Sequence, residues 1–134
     1  MFHFSDKSLN ILKQVHPDLS LVAKQAIQFT PIDFAIGSSS VRTLEEQKKL
    51  LADGKSTTMR SRHVIDNNKC HLSCAIDVIA YVDGKVTWDA QYYRKIAQSF
   101  VTAAIYNKIQ IELGILWGSF IDGPHIQLPW IEYP

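Results

Sequence analysis

Cysteine is nearly absent from this chain of 134 residues: Cys70 and Cys74 are the only two. Two are too few for a disulfide framework and suit a protein made in a reducing cytoplasm. No apolar run approaches the roughly 18 residues that a membrane-crossing helix requires. The opening MFHFSDKSLN has neither the basic stretch nor the apolar stretch of a signal peptide. An excess of one charge is missing too. Lys plus Arg number 14 against 13 Asp plus Glu, a net charge of +1, which excludes the basic footprint of a dedicated nucleic-acid binder. No repeat, low-complexity tract or Pro/Gly linker divides the chain, so residues 1–134 read as one domain. What is present is ordinary globular material. Hydrophobic residues at 46% and charged residues at 20% exclude a disordered or fibrous chain, and the length suffices to bury a core without staples.

The N-terminal third has helical spacing. Ser5 is placed to cap a short helix carrying Leu9, Leu12 and Val15, expected to stop at His16-Pro17. A second helix carries Leu19, Val22, Ala23, Ala26 and Ile27 and ends before Thr30-Pro31. Phe34 to Gly37 reads as a short strand. Thr43-Leu44-Glu45-Glu46 has the form of a capping box, opening a helix with Leu44, Leu50 and Leu51 that Gly54 closes. From Lys55 to Ser73 the chain is polar and aperiodic, and loops of that length inside compact domains usually carry function. Cys74 to Tyr81 is strand-like, Asp83-Gly84 is a hairpin turn, and Lys85 to Trp88 is its return strand. Asp89 caps the last long helix, with Tyr93, Ile96, Ala97, Phe100, Val101, Ala104 and Ile105 as its apolar stripe and Leu113-Gly114 as its expected end. Two short strands near Ile115–Trp117 and Ile126–Leu128 close the domain. Helices and a small, mainly antiparallel sheet predict an α+β fold.

Asp77 is the anomaly in this pattern, an acid inside a strand-like apolar run. It can face solvent, pair with an arginine, or ligate a metal, because an unpaired buried carboxylate is costly. His63, in Ser61-Arg62-His63, and His125, in Asp122-Gly123-Pro124-His125, would complete a catalytic zinc set of two histidines and one carboxylate, leaving a fourth position for water. Only a fold could join residues so far apart. Asp122 is open to two readings, a turn former in Asp-Gly-Pro or a carboxylate positioned for proton transfer.

These elements resemble the M15 metallopeptidases, the family of D-Ala-D-Ala carboxypeptidases and phage L-alanyl-D-glutamate endolysins. The family signature, S-x-H-x-x-G-x-A-x-D followed far downstream by D-x-x-H, is matched at Ser61-Arg62-His63, at Ala75-Ile76-Asp77 and at Asp122-Gly123-Pro124-His125. The segments FSDKSLNILKQVHPDL, TPIDFAI, VDGKVTWD and QLPWIEYP resemble the phage endolysins as well, so the likeness covers nearly the whole chain. It implies a small peptidase domain over residues 1–134, with helices packed on a short sheet and zinc in a cleft held by His63, Asp77 and His125. It makes Asp122 the general base and acid, and Arg42 a clamp for a substrate carboxylate or developing oxyanion, a task suited to a planar guanidinium. The implied substrate is the stem peptide of bacterial peptidoglycan, cut at the L-alanyl-D-glutamate bond. D-Ala-D-Ala-type carboxypeptidase activity and a catalytically impaired murein-binding relic are the alternatives. The protein is expected to be a monomer with no nucleic-acid or membrane partner, accumulating in the host cytoplasm and reaching the wall through a separate holin.

The chain departs from the signature twice. Fourteen positions separate His63 from Asp77, twice the seven of the signature, and the added loop contains His71. His63 has the preceding Ser-x and is preferred as ligand; His71 is expected at the rim. Cys70 and Cys74 with the nearby histidines also permit a structural zinc knuckle, though their spacing is not a standard one. The stretch Trp117 to Asp122 is shorter than in similar family members, which bears on substrate fit and on activity.

Overall fold

Helices begin where the sequence supplies caps. In the computed structural model, which describes residues 1–134, the Ser5 hydroxyl accepts from Ser8 N–H at 3.2 Å and opens α1 (Asp6–Leu12). Pro17 starts a helix rather than stopping one. It is the first residue of α2 (Pro17–Phe29), whose cap is the His16 ring, with Nδ1 accepting from Asp18 N–H at 3.1 Å. A proline there is preset for helix and forfeits no hydrogen bond. Strand β1 (Asp33–Ile36) follows, then α3 (Leu44–Ala52), opened by a reciprocal capping box between Thr43 and Glu46. The buried side chain of α3 is Gln47; Leu44 and Leu51 are exposed, contrary to the expected apolar face. Gln47 anchors the helix through polar partners, accepting from Arg42 Nη1 at 3.0 Å and donating to Ser56 Oγ at 2.8 Å and Thr58 O at 2.7 Å.

Strand β2 (Ala75–Val82) turns through Asp83 and Gly84, both at positive φ as a tight hairpin requires, into β3 (Lys85–Thr87). Asp89 caps α4 (Ala90–Asn107), accepting from Gln91 N–H at 3.1 Å. This helix ends six residues before the expected Leu113-Gly114. Lys108 takes the left-handed conformation (φ 56°), a role more often given to glycine. The chain then forms β4 (Glu112–Leu113), so the strand expected at 115–117 lies earlier, and residues 114–116 make a 3₁₀ turn. Strand β5 (His125–Gln127) completes the domain.

The sheet runs β1-β2-β5-β4, and every strand pair is antiparallel. Long β2 organises it. Its first half pairs with β5, its second half pairs with β1, and β3 joins the end that β5 leaves free. Leu19, Val22, Ala23 and Ala26 of α2 and Ile96, Phe100 and Ala104 of α4 pack with Phe34, Ile76, Val78 and Ile126 in one core. Within α4's predicted stripe, Val101 and Ile105 are exposed. Tyr93 ties α4 to the sheet, its hydroxyl donating to Thr87 O at 2.9 Å and accepting from Ala80 N–H at 3.1 Å. No helix is long and apolar enough to cross a membrane.

Candidate metal centre

The register of β2 against β5 brings two of the candidate ligands together. Asp77 stands directly opposite His125, and Ala75 opposite Gln127. Residues two apart on a strand share a face, so Asp77, His125 and Gln127 all project to one side, with Ala75 small enough to leave room. His63 arrives from the long loop. Its carbonyl accepts from Arg42 N–H at 3.0 Å, and the flanking Arg62 carbonyl accepts from Cys74 N–H at 3.0 Å. The result is a triangle of ligand atoms. His63 Nε2 lies 3.1 Å from His125 Nδ1 and 3.3 Å from Asp77 Oδ1, and His125 Nδ1 lies 3.6 Å from the same carboxylate oxygen.

Each side chain of the triangle is also held from behind. His63 Nδ1 meets Ser40 O at 3.0 Å, and His125 Nε2 meets Gln127 Oε1 at 2.7 Å. Both outer partners are acceptors, so both outer nitrogens carry the proton and both inner nitrogens present lone pairs. Gln127 keeps that orientation because its amide N–H donates to Glu112 Oε1 at 3.1 Å. Asp77 Oδ2 accepts from Arg42 Nη2 at 3.2 Å, and Asp77 N–H donates to Ser40 Oγ at 2.9 Å. Three lone-pair atoms thus converge on one point and call for a cation. Tetrahedral ligands about 2.0–2.1 Å from a zinc ion stand roughly 3.3 Å from one another, the spacing of this triangle, and the donor set suits zinc.

Electrostatics follow the same geometry. Burial alone would raise the Asp77 pKa, but the charge and hydrogen bonds of His63 and His125 outweigh it and hold the carboxyl well below the usual range. Burial would lower the pKa of His125, yet when its inner nitrogen is protonated the hydrogen bond to Asp77 and the charge of that carboxylate raise it, so a proton competes with a cation for that atom.

Asp122 forms the turn that the sequence allowed, and it also borders a cleft. Its backbone makes a turn, with Asp122 N–H donating to Gly114 O at 3.0 Å and His125 N–H to Asp122 O at 3.2 Å. Its side chain lines a cleft of about 270 Å³ together with His63 and His125. Burial first, and then the negative charge of Asp77, push its pKa up. Arg42 lines that cleft too, but three of its donors are committed, to Ser39 O at 2.8 Å, Gln47 Oε1 at 3.0 Å and Asp77 Oδ2. Two N–H groups remain for a substrate. In the shortened segment, Trp117 packs against the His125 ring with centroids 4.9 Å apart, while Phe120 stands exposed at the rim.

His71 lies outside the cluster, exposed and at positive φ. Cys70 and Cys74 are free thiols with sulfurs 3.9 Å apart, and neither joins the histidines; burial pushes Cys74 up to about 12. The inserted loop instead braces His63. Asn68 Nδ2 donates to Arg62 O, Val64 O and Leu72 O at 3.0, 3.3 and 2.8 Å. Ser40, Gln47, Asn68 and Gln127 are supporting residues that sequence reasoning missed. Only Gln127 left a signal, its strand spacing of two from His125.

An α+β domain in which two histidines and a carboxylate converge beside a cleft defines a candidate metal centre. The comparisons with known proteins make the class specific. A profile of the phage L-alanyl-D-glutamate peptidase family matches residues 1–129. The L-alanyl-D-glutamate peptidase of Escherichia phage T5 is 27% identical, over 95% of this chain and 98% of that protein. The enzyme of the same name from Listeria phage A118 is 31% identical over 70% of this chain and 30% of its own length. The crystal structure of the Serratia marcescens L-Ala D-Glu endopeptidase ChiX superposes with a TM-score of 0.85, at 33% identity, covering 97% of this chain and 92% of that one. This chain belongs to the phage L-alanyl-D-glutamate peptidase family.

Proposed function

We propose that residues 1–134 form a single zinc-dependent catalytic domain that hydrolyses the L-alanyl-D-glutamate bond in peptidoglycan stem peptides. The observation that carries this is the triangle of inward lone pairs, each backed by an outward partner, at the edge of an open cleft. His63, Asp77 and His125 would hold the ion. Zinc in such a donor set supplies Lewis-acid activation of water and of the scissile carbonyl.

The chain's own residues do the rest. Asp122 takes the proton of the attacking water and hands it to the leaving nitrogen of D-glutamate; its raised pKa suits a group that must work in both directions. Arg42 fixes the orientation of Asp77 and offers its two remaining N–H groups to the substrate. Ser40 and Gln127 hold the imidazoles in the tautomers that ligation needs. This function places the substrate in the cell wall, with synthesis in the host cytoplasm and release through a separate holin.

The test uses purified protein, isolated murein and a synthetic L-Ala-D-Glu peptide. Chelation should abolish cleavage and zinc should restore it, with one ion per chain. Asp122→Asn should keep the ion and lose on the order of two to four decades in rate, the usual size of a general acid–base contribution. Full activity in that variant would assign the proton transfer elsewhere, and zinc-loaded protein inert on both substrates would end the peptidase proposal.

A further inference from the structure

Three cations line the cleft without an ion-pair partner. Lys55, Arg60 and Arg62 share the cavity with His63, His125 and Asp122, yet every ion pair in the molecule involves Asp77. Arg62 is 2% exposed, and only its Nη2 has an acceptor, Tyr133 O at 2.6 Å; its Nε and Nη1 have none. A buried guanidinium without an ion-pair partner is costly and projects its field through low-dielectric protein into the adjoining cleft. Arg60 lies at the surface of the same feature. Its guanidinium carbon sits 4.4 Å from the ring centroid of Trp130, and that of Arg62 sits 4.1 Å from it.

Arg60 is mounted for recognition. Its side chain takes part in no hydrogen bond or ion pair within the protein, while the backbone around it is fixed. Asn67 Nδ2 donates to Met59 O at 3.1 Å and to Ser61 O at 3.0 Å, and Arg60 N–H donates to Thr58 Oγ1 at 2.9 Å. An arginine seated over an indole can keep its N–H edge free for a planar acceptor. Lys55 is a flexible point charge by comparison, and most of Arg42 is already engaged.

The chemistry of the bond identifies the acceptor. In an L-alanyl-D-glutamate linkage the glutamate nitrogen belongs to the scissile amide. The residue has two carboxyl groups, and continuing the chain consumes at most one. A free carboxylate therefore lies only a few bonds from the cleavage point, on the leaving side. We propose that Arg60, stacked on Trp130 and backed by Arg62, is the specificity residue that reads this free carboxylate of D-glutamate. The proposal rests on the peptidase function above and adds to it a subsite and a discrimination between the acid and its amide.

Two matched peptides test it, one with the D-glutamate carboxylate free and one with the corresponding carboxamide. The protein should cleave the acid peptide with kcat/KM roughly tenfold to a hundredfold above the amide, the range expected when a charge-assisted bidentate contact is lost. Arg60→Gln should collapse that preference towards one by lowering kcat/KM on the acid peptide, and Arg60→Lys should restore part of it. Arg60 is exposed, so neither change disturbs the core. Equal cleavage of both peptides by the unaltered protein, or an undiminished preference in Arg60→Gln, overturns the subsite and leaves the peptidase function standing. Cleavage of neither peptide overturns both.

Discussion

Whether a histidine can ligate depends on where its one proton sits, and in this protein residues remote in sequence decide that. Ser40 O and Gln127 Oε1 each take an imidazole N–H, so the opposite nitrogens of His63 and His125 are the ones turned inward to ligate. Removing an outer partner frees the ring to rotate or change tautomer. Gln127→Ala should therefore weaken metal binding about tenfold to a hundredfold while all three ligands remain. Competition against a chromogenic chelator measures this, and unchanged affinity would show that the ring is fixed by packing alone. The cluster of His63, Asp77 and His125 was legible in the sequence because two histidines and a carboxylate, together with Asp122, fall on a recognisable signature. Ser40 was not legible: it meets His63 across 23 positions through a backbone carbonyl, which any residue type would supply. Gln47 was equally silent, since only the fold shows that its amide bridges Arg42, Ser56 and Thr58.

Among the elements, the sequence revealed starts better than stops. Caps at Ser5, Thr43 and Asp89 are local side-chain chemistry and were readable. The end of α4 was not, because Lys108 adopts a conformation that the sequence suggested for a glycine further on. Gly114 has different work. A Cβ there would collide with the carbonyl of Asp122 and come within 3.0 Å of His125 Cβ. The absence of a side chain is what lets the turn bearing Asp122 settle against the 114–116 segment. Gly114→Ala should push that turn outward and reduce kcat/KM by roughly a hundredfold, the effect of misplacing a catalytic group by about 1 Å. Gly118→Ala is the matched control, because nothing lies within 4 Å of its added carbon. Unaltered helical circular dichroism in both would locate the damage in the turn. Wild-type kinetics in Gly114→Ala would show that the turn yields freely.

At the scale of the whole molecule, the C-terminal tail closes the structure. Tyr133 OH donates to Asp18 Oδ2 at 2.7 Å, its carbonyl accepts from Arg62, and Pro134 O accepts from Lys69 N–H at 3.1 Å. One short segment thus joins α2, the buried arginine and the inserted loop, and it carries Trp130 to the cleft. Burial, then the hydrogen bond to Asp18 and that carboxylate's charge, push the Tyr133 pKa up to about 12 from an ordinary 10.0. A folded value above the unfolded one means that its stabilisation is complete below pH 10 and disappears as pH rises through about 12. Trp130 fluorescence should register tail release in that window, and Tyr133→Phe, which cannot ionise, should lack the transition. An identical alkaline profile in both proteins would assign the change to another group. The ligand triangle has a consequence on this scale too. Its corners are held from outside by partners of the fold itself, a carbonyl behind His63, an amide behind His125 and a guanidinium behind Asp77. Capture of a cation at such a preset triangle needs little rearrangement, so its cost in chain entropy is small.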